Sequence, residues 1–67
     1  MAVARVSKIT AASSKGFHEA VNEGLRRAAK TLRGISGLEI VSQKAKVVNS
    51  KITEYRVSME VTFILED

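Results

Sequence analysis

Lys44 and Arg56 are the side chains of this sequence best suited to hold an anion. Arg presents a planar fork that fits carboxylate and phosphate, and Lys adds a compact point charge. The competing reading of the pair is a solvated strand face, or ion pairs with Glu39, Glu54 or Glu60. Gly37, just ahead of Leu38-Glu39-Ile40, also has two readings. It marks a ligand pocket, or it is a turn glycine in Gly34-Ile35-Ser36-Gly37, where conformational freedom is useful.

The other reactive groups form weaker constellations. Arg26, Arg27, Lys30 and Arg33 could leave a nucleic-acid footprint. No aromatic is interleaved with them for base stacking, and Glu19 and Glu23 stand at helical pairing distance, so a solvated helix face is the preferred reading. His18 is a lone surface histidine. Glu39, Glu54, Glu60, Glu66 and Asp67 could contribute oxygens to a hard cation assembled across subunits, but they lack the spacing of a calcium loop. There is no Cys, no Ser-His-Asp arrangement and no phosphate-cradling glycine loop. Nucleophilic and metal-dependent catalysis lack their parts, and the expectation is a binding protein, not an enzyme.

The elements that must position these groups read as strand, helix, strand, strand. Residues 2–10 are rich in β-branched side chains and predict a strand, with a turn at 11–13. Residues 14–33 predict a helix. Its apolar or small positions are Phe17, Ala20, Val21, Gly24, Leu25, Ala28 and Leu32, which form one face. Ser13 is the expected N-cap, and Gly34 suits the left-handed position after the helix. Gly24 inside the helix suggests close approach of the sheet. Residues 38–48 and 52–65 predict two more strands joined by a turn at 49–51. In the last strand Tyr55, Val57, Met59, Val61, Phe63 and Leu65 alternate with Arg56, Ser58, Glu60 and Thr62. The expected core sets Phe17, Val21, Leu25, Ala28 and Leu32 against Val57, Val61 and Phe63. Ile64, Val41 and Ala45 are expected on the opposite sheet face.

The fold class is therefore α+β, β-α-β-β, with a three-stranded antiparallel sheet wrapped on one amphipathic helix in a single domain, 1–67. A chain of 67 residues buries only about 60% of its unfolded surface. Small folds make up the deficit with disulfides, a metal or oligomerisation. Without Cys, and with a single His, oligomerisation remains. The net charge of +4 suits an anionic partner. No apolar run approaches the length of a membrane span, the start does not read as a signal peptide, and a cytoplasmic location is the default expectation.

Several stretches carry a family resemblance. They are Ala28-Ala29-Lys30-Thr31-Leu32-Arg33, Leu38-Glu39-Ile40, the run Glu54 to Phe63 (EYRVSMEVTF), and Leu65-Glu66-Asp67. With the length and element order, they resemble the dodecins, small flavin-storing shell proteins. The resemblance implies a hollow homododecamer that binds flavins in pairs between subunits. In that family a Trp before a Phe-Glu-Val run stacks on the flavin ring, and a Gln of the third strand hydrogen-bonds its edge. The matching positions here are Gly37 and Arg56, and Lys44 matches a basic residue of the second strand. Glycine supplies no stacking surface, and Arg cannot accept a hydrogen bond.

The expected ligand is thus flavin (FMN or riboflavin) at weakened affinity, or another small anionic ligand. It would lie between subunits near Gly37, Glu39, Lys44 and Arg56, with a phosphorylated ligand preferred. The alternative is a dodecin-fold shell without flavin, which is structural, cation-binding or nucleic-acid-binding.

Overall fold

A computed structural model describes residues 3–65. The chain runs β1 (Val3–Ser13), α1 (Phe17–Ala28), β2 (Ile35–Val48) and β3 (Lys51–Leu65). The sheet is antiparallel throughout, in the order β1-β3-β2. The β-α-β-β expectation holds, with β3 in the centre because it carries the strongest alternation of apolar and polar side chains.

Three local expectations change. Ala11, Ala12 and Ser13 continue β1 as far as the pair Ser13–Tyr55. The Ser13 hydroxyl accepts the Lys15 N–H at 3.0 Å, so it closes a tight turn and does not cap the helix. Gly16, in extended backbone, precedes the helix with no side-chain cap. At the other end the helix gives way after Ala28 to tighter turns, in which the Lys30 and Thr31 N–H groups bond the Arg27 and Ala28 carbonyls at 3.2 and 3.1 Å. Gly34 is left-handed (φ 74°), and its carbonyl accepts the Ile64 N–H at 2.9 Å. The strand start expected at Ala2 lies outside the described residues.

The hairpin between β2 and β3 turns on Asn49 and Ser50, both at positive φ (52° and 63°). Such a two-residue turn matches the right-handed twist of the strands it joins. The hairpin outruns β1. Beyond the Ser13–Tyr55 pair, residues 46–54 form a two-stranded arm with no third strand beside it.

The core is Ala20, Val57, Met59 and Val61, each fully buried, with Ile9, Ala11, Phe17, Val21, Leu32, Ile35 and Leu38 packed around it. The helix lies over β1 and β3. Its buried line is Ala20, Gly24 and Ala28, so the expected face packs on the sheet but is centred on its small residues and not on Leu25. Leu25 and Phe63 are only half-buried and lie outside the central cluster. Small side chains win the central position because they let the helix approach. A Cβ on Gly24 would stand 2.7 Å from Met59 Cε and 3.0 Å from Ala11 Cβ. Phe17 closes one end of the core with an edge-to-face contact on Tyr55, at 5.0 Å between ring centroids.

These packing differences predict unequal costs. Met59→Ala, at the fully buried centre, is expected to cost about 2–5 kcal/mol, and Leu25→Ala measurably less. Denaturant unfolding at one fixed protein concentration checks this. Equal losses would return Leu25 to the core.

Candidate functional site

The ladder register assigns every strand residue to one of two faces, because directly opposed residues point the same way. The face turned from the helix is built in rows across β1, β3 and β2. They are Val6–Thr62–Gly37, Lys8–Glu60–Glu39, Thr10–Ser58–Ser42, Ala12–Arg56–Lys44 and, beyond the end of β1, Glu54–Lys46. All four candidate residues, Gly37, Glu39, Lys44 and Arg56, therefore share one face.

That shared face depends on an irregularity. Along β2 the pair Ile40–Met59 is followed by Ser42–Ser58, so Val41 is an extra residue in a bulge. Without it Gly37 and Glu39 would point away from Lys44. The bulge also corrects the expected position of Ala45, which lies opposite Tyr55 on the helix side. Ile64 sits opposite Ala4 on the outer face, as expected.

The face has a charge gradient. At its hairpin end Arg56 and Lys44 oppose each other, as do Glu54 and Lys46. Arg56 Nη2 donates to Glu54 Oε2 at 2.8 Å, with Arg56 exposed and Glu54 partly so. A concavity of about 330 Å³ is lined by Lys44, Ala45, Lys46, Glu54 and Arg56. In the middle the Thr10 and Ser58 hydroxyls bond at 3.1 Å. Glu39 then opposes Glu60, with Lys8 on the far side of Glu60. Lys46 and the hydroxyl row were not picked out from the sequence, since only the register reveals them.

Gly37 lies within β2 beside another bulge at Ser36, not in a turn. Gly34 is the glycine with positive φ in this segment. A Cβ on Gly37 would meet nothing within 4 Å, so the backbone there does not require glycine. Gly37 and Lys44 are seven residues apart along one strand, on the order of 20 Å at about 3.3 Å per residue.

Other candidates separate from this face. On the helix, Arg26 pairs with Glu23 at 2.6 Å. That hydrogen bond is the main reason the Glu23 carboxyl titrates below its ordinary value. His18 is exposed and bonds Asn22 at 3.0 Å. Among the described residues no three acidic or histidine side chains gather to hold a metal; Glu66 and Asp67 lie outside them. Among those residues, no helix is long and apolar enough to cross a membrane.

The dodecin family profile matches residues 3–66. The chain belongs to the dodecin family. A dodecin from Thermus thermophilus is 32% identical over 60 residues, covering 90% of this chain and 87% of the relative. The crystal structure of an arginine-to-alanine mutant of that dodecin superposes with a TM-score of 0.94 at 30% identity and full coverage of both chains. A dodecin from Streptomyces davaonensis gives a TM-score of 0.93 at 29% identity, over 98% of this chain and 97% of the other. A calcium dodecin from Mycobacterium tuberculosis, solved with a novel calcium-binding site, gives 0.81 at 28% identity, over 96% and 91%. Dodecins as a family are small oligomeric flavin-binding and storage proteins rather than enzymes.

The outer face fits only part of a flavin. The aromatic residues of the sequence are Phe17, Tyr55 and Phe63, and the register puts Tyr55 and Phe63 on the helix side, where Phe17 packs on Tyr55. No outer face of any copy therefore carries a ring to stack on isoalloxazine. The cationic row suits a phosphate or carboxylate.

The two glycines should respond differently to a methyl group. Gly37→Ala is expected to change stability by no more than about 0.5 kcal/mol. Gly34→Ala should destabilise clearly, because its φ is left-handed and the new Cβ would lie 3.0 Å from the Ile64 carbonyl oxygen. Thermal unfolding of both variants tests the assignment, and a large loss at position 37 would restore the turn reading.

Proposed function

We propose that this dodecin is a single-domain protomer, 1–67, of a homododecameric shell that binds a small anionic ligand between subunits. Gly37, Glu39, Lys44 and Arg56 form the contact face, and flavin affinity is weakened by the missing ring. The observation that carries the reading is the direct opposition of Lys44 and Arg56 on the same face as Gly37. Because the two ends of that face are about 20 Å apart in one chain, a ligand touching both must lie between chains.

Self-association has its own support. An isolated two-stranded ribbon is marginal in water, yet the arm carries exposed Val47, Val48 and Ile52 at 60%, 44% and 49%. Exposed Ile40 and Val41 continue the apolar surface along β2. Neighbouring copies would cover both. Size exclusion coupled to light scattering is expected to give a single species near twelve chains. A stable monomer at micromolar concentration contradicts the reading.

For the ligand, the basic pair favours FMN over riboflavin, with the difference shrinking as salt screens it. Gly37→Trp has open space to occupy and is expected to tighten flavin binding by about 1–3 kcal/mol through the regained area. Flavin fluorescence quenching measures both effects. Equal affinity for FMN and riboflavin would remove the role given to Lys44 and Arg56. No gain from the Trp would mean that position 37 does not face the ring.

A second reading is a hard-cation site, which the like-charged pair Glu39–Glu60 and the calcium-binding relative favour. Two carboxylates per chain fall short of the six to eight oxygens that calcium takes, so several copies would have to contribute.

A further inference from the structure

The cationic end of the outer face contains a carboxylate that the reading above does not use. Glu54 Oε2 accepts the hydrogen bond from Arg56 Nη2 at 2.8 Å. Lys46 stands directly across the ladder from Glu54, and Lys44 directly across from Arg56. Three cations thus surround one carboxylate, and the four side chains line the same concavity of about 330 Å³. The next acidic groups on this face, Glu60 and Glu39, lie beyond the hydroxyl row Thr10–Ser58–Ser42. They are two rows and on the order of 13 Å away from Arg56, more than a Debye length at moderate salt.

We propose that Glu54 is a built-in competitor for the anion site. It occupies Arg56 when no ligand is present and is displaced by a phosphate group, so it sets the concentration at which the site fills. The proposal rests on the reading of Lys44 and Arg56 as an anion-binding pair. Magnitudes favour displacement. The Glu54–Arg56 pair is exposed, 36% and 56% for the two side chains, and an exposed pair shifts an equilibrium by roughly fivefold or less. A phosphate dianion brings more charge and more oxygens than the single carboxylate it replaces. It can engage the Arg56 fork together with the point charges of Lys44 and Lys46, and such charge-assisted bonds are the stronger class. Arg56 makes Glu54 a competitor, since a neutral side chain at 56 would form no ion pair with it.

The test is binding of inorganic phosphate to the assembled protein at low ionic strength, followed by phosphorus NMR. The set is wild type, Glu54→Gln, Arg56→Gln and the double variant, each checked by light scattering for an unchanged assembly. Glu54→Gln is expected to tighten phosphate binding about three- to tenfold, combining the freed Arg56 with the lost repulsion. In the Arg56→Gln background the same substitution is expected to gain twofold or less, because no pair is left to release.

An unchanged affinity in Glu54→Gln overturns the proposal. So does an equal gain in both backgrounds, which would make Glu54 a general charge effect. Either result leaves the preference for FMN over riboflavin intact, and that preference judges the underlying reading separately. Absence of phosphate binding in every variant overturns both.

Discussion

One extra residue in β2, Val41, decides which side chains share a face. Strand side chains alternate with period two, so a one-residue insertion moves everything beyond it to the other side. From Gly37 to Ile40 the strand runs in one register with β3. From Ser42 to Lys46 it runs in the shifted one. The shift brings Lys44 and Lys46 onto the face that already holds Gly37 and Glu39, while Gln43 and Ala45 turn toward the helix side. A further bulge near Thr53 lies between this arrangement and the Asn49-Ser50 turn. The cationic end of the outer face thus exists because the ladder is irregular at both of its borders.

This explains how much the sequence could show. The four elements, their order and the central role of residues 51–65 were legible, because β3 alternates without a break from Tyr55 to Phe63 and the helix has a clear apolar side. The family was legible too, from short stretches on three of the elements. The bulge at Val41, and with it the turn of Ala45 to the helix side, was not, since strict alternation assumes an unbroken ladder and nothing in the side chains marks the bulge. Ser13 misled for a related reason. A serine before a helical pattern is a good cap on composition alone, but its hydroxyl is committed to Lys15 one turn too early. Leu25 misled because periodicity finds the face, which held Ala20, Gly24 and Ala28 as well, but not which of its residues lies at the centre. The structure chose Ala20, Gly24 and Ala28 because closeness to Met59 mattered more.

The core and the site are linked through that same economy of material. A central cluster of one Ala, two Val and one Met is small, and the helix that covers it reaches β1 and β3 only. β2 is left with Ile40 and Val41 exposed, and the arm with Val47, Val48 and Ile52 exposed. The strand that carries Gly37, Glu39 and Lys44 is therefore the strand whose other side is least covered by its own chain. Whatever packs on β2 in an assembly also fixes the geometry of those residues.

Under the proposed function, binding and assembly become parts of one equilibrium. Within a chain, Gly37 and the Lys44–Arg56 row are too far apart to touch the same small molecule. A ligand that contacts both joins two copies, and it stabilises only the joined state. Anything that binds the assembled form and not the separate chains shifts the balance toward assembly by mass action. In the proposed shell the charge on the face works in the opposite sense, because Lys44 and Arg56 of neighbouring copies would repel if brought together without an anion between them. Glu54 relieves part of that repulsion inside each chain, at the cost of occupying the Arg56 fork. If the basic row lies at a subunit interface, as proposed, an internal counter-charge eases assembly while the site is empty, and on this face Glu54 is the carboxylate close enough to supply it.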